Sequence, residues 1–161
     1  MILLIGLFIC LLLVSFQDWK YRRIHVMLPI LIFIFSYFLE QSKNNNNIAW
    51  RTIALNSGFF LTTLGFLIIY MSIKYKKFLN PFQNYFGFGD LLFYISLTPM
   101  FLVHNYILFF ILSMIFAIVM QILFKKIIQE NSVPLAGFSA IFLMIVVILD
   151  CFLVGTKITL I

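Results

Sequence analysis

Long apolar blocks make up most of this chain, and short polar connections separate them. Six blocks can be marked: Ile2–Phe16, Ile24–Leu39, Ile53–Ile73, Leu91–Val103, Tyr106–Phe124 and Val133–Val154. A helix that crosses a bilayer needs about 20 residues. The third, fifth and sixth blocks reach that length, and the first two reach it with flanking residues. The pattern therefore predicts an all-α, polytopic membrane protein of about six transmembrane helices, in a single domain over residues 1–161.

The fourth block, Leu91–Val103, differs from the others. It is short and it contains Pro99, and proline breaks or kinks a helix because it lacks an amide hydrogen. We expect either a kinked helix or a partial span here.

Composition favours a membrane protein over a soluble one. Hydrophobic residues make up 64% of the chain and charged residues only 10%, against about 25% charged in ordinary soluble domains. The net charge of +6 would also suit a nucleic-acid binder, but in a membrane protein Lys and Arg mark the cytoplasmic loops. We therefore predict the lipid bilayer as surroundings and no nucleic-acid partner.

The basic residues predict an orientation. Eight of them fall in the first, third and fifth connections: Lys20, Arg22, Arg23, Lys74, Lys76, Lys77, Lys125 and Lys126. Three fall on the other side: Lys43, Arg51 and Lys157. The first side is therefore predicted to be cytoplasmic. Because no basic residue precedes the first apolar block, we expect that block to remain as a span and not to be cleaved as a signal peptide.

The chain has only five acidic residues, so each can be judged separately. Glu40 is expected to be a solvated residue at the outer end of the second block, and Glu130 a solvated residue in the basic connection after the fifth block. Asp150 is expected to be an interfacial residue that hydrogen-bonds a neighbouring helix. Asp18 ends the first block and Asp90 precedes the fourth, so the predicted topology puts both on the cytoplasmic side.

Two carboxylates at one depth on different helices can share a single proton, because like charges oppose full ionisation. The ionised group can then act as a general base on water, and the protonated group can act as an acid. This is the chemistry of aspartic proteases, and it needs no metal or cofactor. The sequence leaves open the alternative that Asp18 only pairs with Arg22 or Lys20.

Metal binding has little support in the sequence. Cys10 and Cys151 lie in apolar blocks, and neither His25 nor His104 has a ligand partner at a helpful spacing. We predict no metal site.

The residues around both aspartates resemble a known family. Gly87-Phe88-Gly89-Asp90 resembles the GxGD motif of intramembrane aspartic proteases, and Asp90 is a favoured residue type for a helix N-cap. The stretch 18–24, Asp-Trp-Lys-Tyr-Arg-Arg-Ile, resembles the first catalytic region of the type IV prepilin peptidases, and the stretch 133–140, Val-Pro-Leu-Ala-Gly-Phe-Ser-Ala, resembles a later stretch of that family.

This resemblance implies an aspartic endopeptidase of a bacterial cytoplasmic membrane, with Asp18 and Asp90 catalytic and the active site toward the cytoplasm. Its expected substrate is a pilin-like precursor of type IV pilus or secretion systems. Gly87, Gly89 and Pro134 are expected to bind that substrate. Since the chain has no CxxC motif, it resembles the minimal, peptidase-only form of the family.

The sequence also departs from the family pattern. His25-Val26 stands where the family has Pro-Asn, Leu92 where a Lys is usual, Thr98-Pro99 where a Leu-Gly pattern is usual, and Gly137 where the family has Pro. These departures motivate the alternative of an inactive homologue that acts as a pilus or secretion assembly protein. A transporter is disfavoured because no other block carries an acidic residue near mid-membrane. The presenilin and signal-peptide-peptidase branch is disfavoured by the residues around Asp18.

Overall fold

The computed structural model describes residues 2–42, 49–76, 87–124, 134–152 and 159. All regular structure in these residues is helical, which confirms the all-α prediction. The described residues form six helices: α1 (Ile2–Tyr21), α2 (Met27–Gln41), α3 (Ala49–Tyr75), α4 (Phe88–Ser96), α5 (Val103–Leu123) and α6 (Leu135–Phe152).

The helices have the length and composition of a polytopic membrane protein. Among the described residues, α1, the Trp50–Lys74 part of α3, and α5 are long and apolar enough to cross a membrane. Met27–Gln41 and Leu135–Cys151 are shorter apolar helices. Many large apolar side chains stay exposed on the outside of the bundle, where lipid can solvate them.

The first helix packs along two of its neighbours. It contacts α2 and α6, while α4 packs on α2, α3 and α6. Leu7, Leu11 and Val14 on α1 are fully buried in the main core. Gly6 of α1 lets α2 approach closely, because a Cβ at this position would lie 2.9 Å from the Phe35 ring of α2.

Aromatic contacts identify the two ends of the bundle. The Trp19 ring at the end of α1 lies 6.0 Å from the Phe124 ring after α5. At the opposite end, the Tyr37 ring of α2 lies 5.8 Å from the Trp50 ring of α3. We call the end with Trp19 and Phe124 the Trp19 end. The antiparallel helix order brings the start of α4 and the start of α6 to this end as well.

The fourth block forms only a partial span. Helix α4 has nine residues, which corresponds to about 14 Å of helix against about 30 Å of hydrocarbon. The chain then turns through residues 97–102, which include Pro99, before α5 begins at Val103. The full span over Leu91–Val103 is therefore absent, and the partial span is confirmed.

A buried asparagine of α3 binds backbone carbonyl groups of the turn that follows α4. The Asn56 Nδ2 group donates hydrogen bonds to the carbonyl oxygens of Thr98, at 2.9 Å, and Phe101, at 2.8 Å. Leu97, Met100 and Phe101 in the same turn are fully buried. Non-helical backbone at membrane depth is tolerated where protein groups satisfy it, and Asn56 supplies two of those hydrogen bonds.

The other acidic residues differ from the expectations in part. Glu40 is only 1% exposed, so the expectation of a solvated side chain is wrong. The physical reason is that Glu40 lies one turn after Ser36, which faces the bundle interior and is itself buried. Asp150 accepts hydrogen bonds from the Thr159 backbone N–H at 2.6 Å and the Thr159 hydroxyl at 2.5 Å. These two bonds come from a residue that follows α6, and the expected bond to a neighbouring helix stays a prediction.

Several residues named in the sequence analysis lie outside the described ranges: Lys43, Lys77, Lys125, Lys126, Glu130, Val133, Val154 and Lys157.

Asn56→Ala is predicted to destabilise the protein, because two buried carbonyl groups lose their donor. The expected loss in free energy of unfolding is about 1–3 kcal/mol. The measurement is denaturant or thermal unfolding of the purified protein in detergent. Thr62→Ala is the matched control, since the exposed Thr62 hydroxyl bonds only to Phe59 of its own helix. Equal stability of the two variants would contradict the role of Asn56.

Candidate active site

Asp18 is held in the last turn of α1, where α6 passes close to it. Its side chain is only 6% exposed. The Oδ2 atom accepts a hydrogen bond of 2.6 Å from the backbone N–H of Gly137. A Cβ at position 137 would lie 3.1 Å from both the Cβ and the Oδ2 of Asp18. The glycine therefore lets the α6 backbone approach this carboxylate closely.

Asp90 is held at the start of α4. Gly87 is the N-cap, with an extended backbone at φ −69° and ψ 137°, and Asp90 is the third helical residue. The Oδ2 atom of Asp90 accepts a hydrogen bond from the N–H of Gly87 at 3.2 Å. The expectation that Asp90 itself is the N-cap is wrong, because the helix begins two residues earlier and Asp90 reaches back to the cap, as the acidic residue of a capping box does.

The first turn of α6 joins the two carboxylates. The Oδ1 atom of Asp90 accepts a hydrogen bond of 2.9 Å from the N–H of Ala136, and Gly137, the next residue, binds Asp18. The first N–H groups of a helix have no acceptor within that helix, so both amides are available as donors. Consecutive amides of one helix therefore hold Asp18 and Asp90 at the Trp19 end, and the charge of Asp18 acts on Asp90.

The electrostatics of this arrangement favour one negative charge over two. Both carboxylates are largely buried, and burial opposes ionisation as the neighbouring like charge does. The amides at the start of α6 stabilise negative charge, because the positive end of the helix dipole faces the carboxylates. We refer to Asp18 and Asp90 in this arrangement as the carboxylate pair.

The connection between α1 and α2 packs against the same site. A Cβ at Gly89 would lie 3.1 to 3.3 Å from side-chain atoms of Ile24. The N–H of His25 donates a hydrogen bond of 3.0 Å to the side-chain oxygen of Gln17. Arg22, with φ at 53°, turns the chain here. Ile24 of this connection thus packs on Gly89 of α4, although the next two residues are His25 and Val26 and not the Pro-Asn of the family pattern.

Two interpretations of Asp18 both have support. The Arg22 charge acts on the Asp18 carboxylate, as the interfacial-pair alternative expects. The hydrogen bond of the carboxylate, however, comes from Gly137 on α6. Asp18 thus belongs to the junction of α1 and α6 and is not only a partner of the basic residues after it.

The three residues predicted to bind substrate occupy different positions. Gly87 is exposed beside Asp90, and a Cβ there would lie 2.8 Å from the Asp90 Oδ2 atom. Gly89 packs on Ile24. Pro134 is buried before α6, and its carbonyl oxygen accepts the Phe138 N–H at 3.1 Å. A role in substrate binding stays a prediction for all three.

Sequence reasoning missed the two amides of α6 and the packing of Ile24 on Gly89. The stretch 133–140 was the available signal, since its resemblance pointed to this segment without assigning it a contact. In the part of the chain that the structure describes, His, Cys, Asp and Glu residues form no group of three or more that could hold a metal ion.

The fold and the carboxylate pair define a multi-pass membrane protein with two acidic side chains joined at one end of a helical bundle. The family model of the type IV leader peptidase family matches residues 5–122, which include both aspartates. The chain belongs to this family and is a peptidase. The comparison with curated proteins found no match, and the comparison with solved structures found none. Helix α6 follows the matched residues.

Gly137→Ala is predicted to lower stability and peptidase activity, because its Cβ would press on Asp18. The expected loss in free energy of unfolding is about 1–3 kcal/mol, typical of overpacking. Thermal unfolding in detergent provides the measurement. Gly58→Ala is the matched control, because a Cβ at position 58 of α3 meets nothing within 4 Å, and alanine favours a helix over glycine. If Gly137→Ala is as stable as Gly58→Ala, the close approach of α6 to Asp18 is wrong.

Proposed function

We propose that this protein is an intramembrane aspartic endopeptidase that removes the leader of type IV prepilin-like precursors. It acts at the cytoplasmic face of a bacterial inner membrane, with Asp18 and Asp90 activating a water molecule. The observation that carries this proposal is the pair of hydrogen bonds from consecutive amides of α6 to the two carboxylates. Membership of the leader peptidase family supports the same reaction class.

In the proposed reaction the carboxylate pair holds one proton. The ionised carboxylate takes a proton from water while the water oxygen bonds to the scissile carbonyl carbon. The protonated carboxyl group donates its proton to the carbonyl oxygen. When the tetrahedral intermediate collapses, one of its two hydroxyl groups returns a proton to the carboxylate that had protonated the carbonyl oxygen, and the C=O bond re-forms. The C–N bond breaks, and the proton taken from water passes to the leaving amine. The pair then again holds one proton.

Helix α6 has two tasks in this mechanism. Its Ala136 and Gly137 amides each bind one oxygen of a carboxylate and so fix the orientation of that side chain. Its positive end favours the single negative charge that the pair carries at each stage. Such fixed dipoles need no reorganisation during the reaction, which is why preorganised donors accelerate chemistry.

The surroundings of the pair suit a substrate that enters from the membrane interface. Trp19, Val26, Met27 and Phe88 are large apolar residues exposed at the Trp19 end. A pilin-like precursor has an apolar helix that lies in the bilayer and a leader that stays in the cytoplasm, so its scissile bond lies at this depth. The exposed Gly87 allows an extended substrate backbone to approach Asp90.

The second candidate function is an inactive homologue that serves as a membrane assembly protein of a pilus or secretion system. The observation that favours it is the set of departures from the family pattern, above all at His25, Val26 and Leu92. This function does not require the carboxylate pair to ionise. It therefore predicts that neutral variants of the aspartates still support assembly.

Asp18→Asn and Asp90→Asn are each predicted to abolish leader removal, because neither variant retains both an acid and a base. The measurement is co-expression with pilin-like precursors from the same genome, scored by a mobility shift on a gel. Asp150→Asn is the matched control, since Asp150 is equally buried, at 6% exposed, and lies at the other end of α6. It is expected to cleave normally when its expression matches the wild type.

The outcomes separate the two functions. Full cleavage by Asp18→Asn or Asp90→Asn would refute catalysis by the pair. If the wild type cleaves none of the precursors, and both aspartate variants restore assembly in a deletion strain, the assembly function replaces the peptidase.

A further inference from the structure

Directly beneath the carboxylate pair, one buried tyrosine joins three helices. Tyr94 of α4 is 0% exposed. Its hydroxyl oxygen lies 2.9 Å from the Ser113 hydroxyl of α5 and 2.8 Å from the Ser139 hydroxyl of α6. The backbone carbonyl of Tyr94 accepts a third hydrogen bond, of 2.9 Å, from the Tyr106 hydroxyl of α5. The reaction proposed above uses none of these groups.

The direction of these hydrogen bonds follows from the number of protons. The Ser113 hydroxyl donates its one hydrogen to the Phe110 carbonyl oxygen at 2.9 Å, so towards Tyr94 it can only accept. The Tyr94 hydroxyl therefore donates to Ser113, and the Ser139 hydroxyl donates to Tyr94. The chain of donors runs from α6 through α4 to α5, and each hydroxyl in it has a partner for its hydrogen.

The bond between Tyr94 and Ser139 lies one helical turn from the bond between Asp90 and Ala136. Tyr94 follows Asp90 by four residues on α4, and Ser139 follows Ala136 by three residues on α6. Residues at these spacings share one face of a helix. Two side-chain hydrogen bonds, one turn apart, thus cross the interface between α4 and α6 and set the register of the two helices.

We infer that Tyr94 is a positioning residue that keeps Asp90 aligned with Ala136 during the reaction, an inference that rests on the proposed peptidase function. Helix α4 is short, and its carboxylate must exchange protons with water and substrate while its bond to Ala136 changes. The Tyr94 bond to Ser139 is away from the reacting atoms and stays intact throughout. The Tyr94–Ser139 bond therefore keeps α4 aligned with α6 while the hydrogen bond between Asp90 and Ala136 changes.

The test compares Tyr94→Phe with Tyr106→Phe. Both tyrosines are fully buried, both substitutions remove one hydroxyl, and both hydroxyls bond a group of another helix. Only Tyr94→Phe removes the bond to Ser139 of α6, and it also removes the bond to Ser113 of α5. We expect it to lower kcat by about tenfold to a hundredfold, the effect of a small misplacement of a reacting group. KM should stay near the wild-type value, because Tyr94 is buried beneath the site. Tyr106→Phe should retain the wild-type kcat.

A second readout does not depend on cleavage. The Ala136 amide lies in the first turn of α6, so its hydrogen-bond acceptor is Asp90 and not a carbonyl of its own helix. Its hydrogen exchange, followed by NMR in detergent micelles, therefore reports the alignment of Asp90. We expect faster exchange at Ala136 in Tyr94→Phe and wild-type exchange in Tyr106→Phe.

The outcomes distinguish this inference from the proposed function. A folded Tyr94→Phe with wild-type kcat and wild-type exchange at Ala136 would overturn the inference while leaving the peptidase function intact. If Tyr94→Phe does not fold, Ser139→Ala takes its place, since it removes only the donor to Tyr94, and a wild-type kcat in that variant would also overturn the inference. If the wild type cleaves no precursor, the proposed function fails, and the exchange at Ala136 alone decides whether Tyr94 aligns Asp90.

Discussion

The arrangement of this protein depends on two neighbouring amide groups. The N–H groups of Ala136 and Gly137 lack acceptors within their own helix, and they find them on Asp18 and Asp90. Three helices that are far apart in the sequence therefore meet at one point. Two ionised carboxylates that lie close together repel each other, and hydrogen bonds from these donors offset part of that cost. The same amides that orient the carboxylates thus also make their proximity tolerable.

The remaining packing serves this junction. Glycine at position 137 brings the backbone of α6 against Asp18, and glycine at position 89 brings α4 against Ile24. Helix α4 ends after nine residues, and Asn56 of α3 satisfies the turn that follows. A short helix held at both ends can present a side chain near its start without crossing the whole bilayer. The bundle therefore combines long apolar helices, which match the membrane, with one short helix that carries Asp90 near its start.

The hydrophobic pattern predicted the helical class, the six helices of the described residues and the partial span before Pro99, because each of these depends on local composition. It also put Asp18 and Asp90 at one end, since alternating spans determine which helix ends meet. The donors of the site were not predictable in this way. Every residue except proline carries a backbone N–H. The residue types at positions 136 and 137 therefore do not indicate that these two amides bind the carboxylates. The burial of Glu40 was missed for a related reason, because it depends on the direction in which the last turn of α2 faces.

The position of α6 in the chain has a consequence for biosynthesis. It is the last of the described helices to leave the ribosome, and it supplies both amides that join the carboxylate pair. Until it has been inserted, Asp18 and Asp90 lack their common partner, and the charge of one carboxylate has no fixed dipole to balance it. A nascent chain therefore contains both acidic groups before it contains the amides that bind them. Among the described helices, the insertion of α6 is therefore the step that brings the two carboxylates to their common donors.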